Sequence, residues 1–261
     1  MKLEGKTALI TGASSGIGKE FAYLLSRKGM NLVLNARSKD KLEEIKKNIE
    51  SRSRVRVDIV VDDLSTNSAP KRIFNIIQRR GINIDLLVNN AGFGYIGDFE
   101  KEDYDKNREM IMVNVLSMTS LSRLFIPQMI QRGEGGIINV ASLAGMRPFP
   151  YAATYAATKS YVYSFSQALW EEYRKKGIIV SCLCPGLTKT NFGKVAGREE
   201  MFERGLDPKI VAEEALIGFL EKEPIVVPEA HKNFMIEYGS KFIPRKKILE
   251  MAGKVFRVKH K

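Results

Sequence analysis

Short runs of Val, Ile, Leu and Ala recur along this 261-residue chain, and nearly every one is followed by a stretch with helical spacing. The apolar runs are at 7–11, 31–36, 55–61, 85–88, 136–140, 178–183 and 225–227. Helical patterns follow at 16–28, 39–51, 69–80, 104–132, 154–176 and 209–222. A strand that is apolar at nearly every position must be covered on both faces, which is the condition of a parallel sheet between two helical layers. Right-handed crossovers then wind the helices onto both sides. The pattern predicts an α/β chain with a single, doubly wound domain and a parallel sheet of about seven strands. Residues 1–230 are expected to form that domain and 231–261 a basic C-terminal extension. The stretch 189–207 is polar, weakly periodic and contains glycine. It reads as an insertion between strand and helix, placed to act as a lid.

The chain carries a net charge of +12. From Lys241 onward it has eight Lys/Arg against one Glu, so +7 of that charge lies in the last 21 residues. A charge so confined does not suggest nucleic-acid binding. It suggests either a solvated terminus or a peripheral contact with an anionic surface, because Ile243, Ile248, Leu249, Val255 and Phe256 interleave with the cations. The two cysteines, Cys182 and Cys184, lie in one apolar run, and the two histidines, His231 and His260, give no metal-ligand spacing. Reduced thiols, a Lys/Glu-containing start with no apolar h-region, and no unbroken run of about 18 apolar residues lead us to expect a cytoplasmic protein without a metal.

The first strand leads into Thr11-Gly12-Ala13-Ser14-Ser15-Gly16-Ile17-Gly18. Glycines let the backbone turn sharply and come close to a phosphate, and the helix that follows offers free N–H groups to an anion. The same residues fit G-x-S-x-G, the elbow of serine hydrolases, with Ser14 as nucleophile. Only 11 residues precede Gly12, too few for the strands that such an elbow follows, and neither histidine lies near it in sequence. At the end of the second strand, Asn35-Ala36-Arg37-Ser38 lacks the acid that would bind a ribose 2′-hydroxyl. Arg37 suits a 2′-phosphate instead. Later, Tyr155 and Lys159 stand four residues apart, on one face of a helix. An ammonium beside a phenol favours phenolate and is expected to lower its pKa toward neutrality. A phenol tuned in that way can exchange a proton with a substrate oxygen.

Taken in order, Thr11-Gly12-x3-Gly16-Ile17-Gly18, Asp63-Leu64, Asn89-Asn90-Ala91-Gly92, Asn114, Ser142, Tyr155-x3-Lys159 and Pro185-Gly186-x3-Thr190 resemble the short-chain dehydrogenase/reductase family over about residues 3–230. The resemblance implies a Rossmann fold and an NADP(H)-dependent interconversion of ketone or aldehyde and alcohol. It implies Tyr155 as general acid/base and Lys159 as the residue that binds the nicotinamide ribose and lowers the phenol pKa. Ser142 would hydrogen-bond the substrate oxygen and Asn114 would hold a water linked to Lys159. The cofactor would lie on Gly12, Ser14, Ser15, Gly16, Ile17, Gly18, Arg37, Asp63, Leu64, Asn90, Ala91, Gly92, Pro185, Gly186, Thr188 and Thr190. Asn89 is expected to brace the sheet. Two hydroxyls converging on one oxygen are a sound way to stabilise a developing alkoxide without a metal.

Residues that follow the carboxyl ends of strands form the expected substrate wall: Phe93, Gly94, Tyr95, Leu143, Ala144, Met146, Phe149, Pro150, Tyr151, Leu187 and Phe192. They are mostly apolar, Arg147 apart, which favours a hydrophobic small-molecule ketone or alcohol. Within the family the chain is similar to reductases of broad specificity, to 3-ketoacyl reductases and to hydroxysteroid dehydrogenases. A non-catalytic nucleotide-binding scaffold is the alternative of a different class, and the presence of Ser142, Tyr155, Lys159 and Asn114 together opposes it. The resemblance also implies a homodimer or homotetramer through the helices at 104–132 and 154–176, with Val113, Leu116, Leu121, Phe165, Leu169 and Trp170 as interface candidates.

Overall fold

In the computed structural model, which describes residues 1–229 and 244–256, a parallel sheet is sandwiched between helices. The chain runs β1 (Thr7–Thr11), α1 (Gly16–Arg27), β2 (Asn31–Ala36), α2 (Lys39–Glu50), β3 (Val57–Val61), α3 (Ala69–Arg79) and β4 (Leu86–Asn89). It continues through α4 (Tyr104–Ile111), a π-helical segment (Met112–Ser117), α5 (Met118–Arg132), β5 (Gly135–Val140), α6 (Ala153–Arg174) and β6 (Ile178–Leu183). Two short helices, α7 (Phe192–Val195) and α8 (Glu199–Phe202), precede α9 (Pro208–Leu220), β7 (Ile225–Val226) and α10 (Arg245–Phe256). The strand order is β3-β2-β1-β4-β5-β6-β7, and every pair is parallel. The order reverses between β1 and β4, which opens a crevice at their carboxyl ends.

The apolar runs split by parity, because successive strand side chains point to opposite faces. Leu9, Val33, Leu87 and Ile137 join Ile73, Leu121 and Phe125 on one side. Ile10, Leu34, Val88 and Ile138 join Phe21, Leu25 and Phe219 on the other. The opposite, amino-terminal edge of the sheet is closed by charge. Asp85 accepts from the Thr7 amide at 2.9 Å, and Lys6 pairs with Glu134 at 2.6 Å and with Asp85 at 4.0 Å.

Three expectations are corrected. The helix expected over 104–132 is not uniform: a π-helical segment interrupts it at Met112–Ser117. Tyr104–Arg132 is also, by length and composition, apolar enough to cross a membrane, with a mean hydropathy of 1.4 over an 18-residue window. Its apolar residues are spent on the core instead, with Met110, Met118, Leu121, Phe125 and Met129 buried. Of the interface candidates, Val113, Leu121 and Leu169 are likewise buried within the chain, while Leu116 is 47% exposed. β3 starts at Val57 rather than at 55, where its pairing with β2 begins. Both cysteines are fully buried and form no disulfide, their Sγ atoms 3.7 Å apart. Much of the expected 231–261 extension, including Ile243, and the side chains of Val255 and Phe256 lie outside the described residues.

Candidate active site

The turn after β1 is shaped by two glycines with left-handed backbones, Gly12 at φ +64° and Gly16 at φ +55°. A side chain at Gly12 would stand 2.9 Å from the Ala91 Cα, and one at Gly16 would stand 3.0 Å from the Thr190 Cγ2. Gly18 faces inward, since a Cβ there would approach the Gly12 carbonyl oxygen to 2.5 Å. Its part is close packing of helix on turn, whereas Gly12, Ser14, Ser15, Gly16 and Ile17 line the cleft itself. The turn is tied to β4 by Thr11, which sequence reasoning passed over as a site residue. Its hydroxyl accepts from the Asn90 and Ala91 amides, both at 3.0 Å, and donates to the Val88 carbonyl at 3.3 Å. The Asn90 amide group donates back to the Thr11 carbonyl at 2.9 Å. Asn90 thus holds the glycine turn in place as well as lining the cleft. Asn89 braces the sheet, as expected, by donating to Ser122 at 3.1 Å and Asn139 at 2.9 Å.

One cleft of about 1110 Å³ runs from Arg37 to Tyr155 along the carboxyl ends of the strands. Its far end holds Arg37, Lys41, Asp63 and Lys106. Arg37 is 73% exposed and forms only a long ion pair with Asp63, at 3.8 Å. Lys41, in the first turn of α2, was not foreseen as a site residue. The middle is lined by Leu64, Asn90, Ala91, Gly92, Pro185, Gly186, Thr188 and Thr190.

At the inner end, Ser142 leaves β5 in extended conformation and starts a tight turn, its Oγ accepting from the Ala144 amide at 3.1 Å. Ser142 and the Tyr155 phenol meet at this end of the cleft, and the Ser142 hydroxyl favours the phenolate. Helix α6 sits hard against this turn. A Cβ at Gly145 would lie 2.5 Å from the Lys159 carbonyl oxygen, and Ser160 donates to the Gly145 carbonyl at 2.7 Å. Lys159 is 4% exposed and donates to the Val140 carbonyl at 2.7 Å, with its Nζ 5.9 Å from the Tyr155 ring centre. The expected lowering of the phenol does not occur. Burial pushes Tyr155 up to about 12, opposed only by Ser142, and pushes Lys159 down to about 8. Both charged forms lose hydration in the same dry corner, and the ammonium points to the end of β5 rather than to the phenol oxygen.

Asn114 lies in the π-helical segment, behind the cleft wall. It accepts from the Phe93 amide at 3.2 Å and donates to the Phe93 carbonyl at 2.9 Å and to Thr158 at 3.0 Å. A Cβ at Gly92 would stand 2.9 Å from Asn114 Oδ1 and 3.3 Å from Lys159 Nζ, so glycine there keeps the space between them open. Phe93, Leu143, Ala144, Phe149, Leu187 and Phe192 line the cleft as expected. Five expected wall residues, Gly94, Tyr95, Met146, Pro150 and Tyr151, do not. Tyr95, Pro150 and Tyr151 line a smaller neighbouring cavity, and Met146 packs with the buried cysteines. Gly94 lies under the Tyr155 and Phe192 rings, which are 5.2 Å apart. The insertion 189–207 does cover the cleft. Phe192 leans on Tyr155 with Phe202 5.3 Å behind it, and the Ala196 carbonyl accepts from the Ile96 amide at 3.0 Å.

The family model for short chain dehydrogenases matches residues 6–200. The chain belongs to that family. Among known relatives it is 38% identical over 195 residues to a rat protein named very-long-chain 3-oxoacyl-CoA reductase, a match spanning 73% of this chain and 62% of the rat protein. The match thus spans less than two thirds of that relative's length. Among solved structures, a short-chain dehydrogenase from Sphingobium yanoikuyae in complex with NADPH superimposes with a TM-score of 0.82 at 29% identity, covering 98% of each chain. A ketone-specific alcohol dehydrogenase from Comamonas testosteroni, described as specific for bulky-bulky ketones, gives 0.77 at 29% identity over 92% of this chain and 99% of its own.

Proposed function

We propose that this short-chain dehydrogenase is an NADP(H)-dependent oxidoreductase that interconverts a hydrophobic ketone or aldehyde and its alcohol. The observation that carries the reading is the meeting, in one cleft, of the Ser142–Tyr155 hydroxyl pair with an uncluttered glycine turn and a basic far end. The cradle fits a dinucleotide: Gly12, Gly16 and Gly92 keep clear the surfaces that side chains would fill. The N-terminus of α1 would face the pyrophosphate, and Arg37 with Lys41 the 2′-phosphate. Asp63 and Leu64 would meet the adenine, and Pro185, Gly186, Thr188 and Thr190 the nicotinamide end. When bound, the cofactor supplies or takes the hydride.

The chain's own residues handle oxygen and proton. Ser142 and Tyr155 would hold the carbonyl oxygen between two O–H donors, which stabilises charge as it develops there. Tyr155 then gives up its phenolic proton to the alkoxide, and a phenol held near 12 is a competent acid for so basic a partner. Lys159 steadies the phenolate left behind. Asn114 would hold a water between itself and Lys159 and so return the proton from solvent. The apolar lid, with Phe192 and Phe202, would exclude water from the exchange. A 3-oxoacyl-type substrate is the finer reading, supported by the name of the rat relative and by the apolar wall. A homo-oligomer joined through the outer faces of α4 to α6 and a cytoplasmic setting belong to the same reading.

The test is calorimetric titration with NADPH and NADH, on the wild type and on Arg37→Asp. NADPH should bind at least tenfold more tightly to the wild type, and Arg37→Asp should erase that preference. Equal affinities in the wild type would remove the 2′-phosphate argument, and no binding of either would remove the reading as a whole.

A further inference from the structure

Thr158 precedes Lys159 on α6 and is buried, yet the reaction as described gives it no task. A threonine in a helix can return its hydroxyl proton to a carbonyl one turn back. Here that carbonyl belongs to Tyr155, at 2.7 Å. The hydroxyl has a single proton, so toward any other group it can only accept. What it accepts is an N–H of the Asn114 carboxamide, at 3.0 Å.

Asn114 is buried as well, so the partners of its carboxamide must come from the protein or from ordered water. The two N–H groups go to Thr158 and to the Phe93 carbonyl, the latter at 2.9 Å. Oδ1 can accept twice, and the Phe93 amide takes one of those positions at 3.2 Å. The other is left for the side on which Gly92 and Lys159 lie. A Cβ at Gly92 would be 2.9 Å from Oδ1 and 3.3 Å from Lys159 Nζ, so acceptor and donor close on one spot. Nζ gives one of its three protons to the Val140 carbonyl and keeps two. The acceptor belongs to the π-helical segment and the donor to α6, and the Thr158 hydroxyl ties the one to the other.

We infer that Thr158 is a positioning residue for proton return: its hydroxyl latches Asn114 to α6 and keeps Oδ1 turned toward Lys159. The purpose rests on the proposed function, in which Asn114 and Lys159 bring the proton back to Tyr155. The latch itself needs neither cofactor nor turnover, so the two can be told apart. Without the hydroxyl a buried N–H loses its acceptor, and the carboxamide has reason to turn or draw away from α6.

The experiment compares Thr158→Val, which keeps the shape and removes the hydroxyl, with Thr158→Ser, which keeps the hydroxyl. In the full chain without cofactor, amide NMR follows exchange of the Asn114 carboxamide protons with solvent. Exchange should speed up by about fivefold or more in Thr158→Val, the effect of one lost hydrogen bond, and stay near wild type in Thr158→Ser. With NADPH and a ketone, rapid mixing separates the first turnover from later ones. The first uses the proton already on Tyr155 and should keep its rate in Thr158→Val. Later turnovers need that proton returned, so kcat should fall about five- to tenfold with KM unchanged, and Thr158→Ser should recover it. Unchanged carboxamide exchange in Thr158→Val would overturn the inference. So would a first turnover slowed as much as the later ones, in favour of a merely structural role. If the wild type reduced no ketone, the proposed function would fall and proton return with it, while the exchange rates would still decide the latch.

Discussion

Tyr155 and Lys159 show how far a spacing can be read. Four residues on a helix do place a lysine and a tyrosine together, and both reach the inner end of one cleft, Lys159 buried and Tyr155 half-buried. The spacing says nothing of where the ammonium points, and β5 ends close enough for the Val140 carbonyl to claim it. Desolvation then decides both values, upward for the phenol and downward for the amine. A pH dependence follows. The Lys159 ammonium is intact below about 8 and is lost as pH rises past it, while Tyr155 keeps its proton to about 12. Reduction leaves a phenolate steadied by Ser142 and, across 5.9 Å to the ring, by the field of the charged lysine, so kcat/KM for a ketone should fall on the alkaline side of about pH 8. A pH–rate profile checks this, and a flat profile to pH 9.5 or so, well above that midpoint, would contradict it. Tyr155→Phe should lower turnover by roughly 10²–10⁴-fold or more, with NADPH affinity nearly unchanged. Single-turnover rates and calorimetry on the same sample separate the two.

At the scale of elements, the strands were legible because a parallel sheet covered on both faces leaves uninterrupted apolar runs, and β6 falls on the expected residues. What could not be read was how elements lean on one another. The π-helical turn at Met112–Ser117 has no composition of its own, yet it directs Asn114 at Phe93 and at Thr158 of the neighbouring α6. Such one-turn widenings occur at functional positions and are invisible to a 3.6-residue period. Gly145 is a second case. In sequence it marks only a turn after Ser142, while in space it is the contact on which α6 rests. Gly145→Val should push α6 from the turn and separate Ser142 from Tyr155. We expect a stability loss of about 1–3 kcal/mol and a fall in kcat larger than the rise in KM. Denaturant unfolding and steady-state kinetics measure the two. The walls of the cleft were half legible, since Phe149 and Phe192 reach it whereas Tyr95 and Tyr151 turn away with their loops.

For the whole molecule, chemistry and reinforcement lie at opposite edges of one sheet. The cleft along the carboxyl ends of the strands gathers the candidate catalytic and cofactor residues, Asn114 and Gly18 apart, and the amino ends hold the Lys6, Asp85 and Glu134 cluster. Lys6→Ala should therefore lower thermal stability by about 0.2–1 kcal/mol, the range for partly exposed pairs, and leave kcat and KM as they were. A melting curve and an assay on one preparation decide it. The same polarity gives the two ends of the described chain different neighbours. Residues leading into β1 enter at the reinforced edge, where the Asn31 amide bonds the Lys6 carbonyl. Helix α10 lies on the loops that follow β4 and β5. For anyone attaching this protein to a bead, a dye or a second enzyme, the front of the chain is thus the neutral handle. A bulky group attached to α10 itself would stand over the loops that follow β4 and β5.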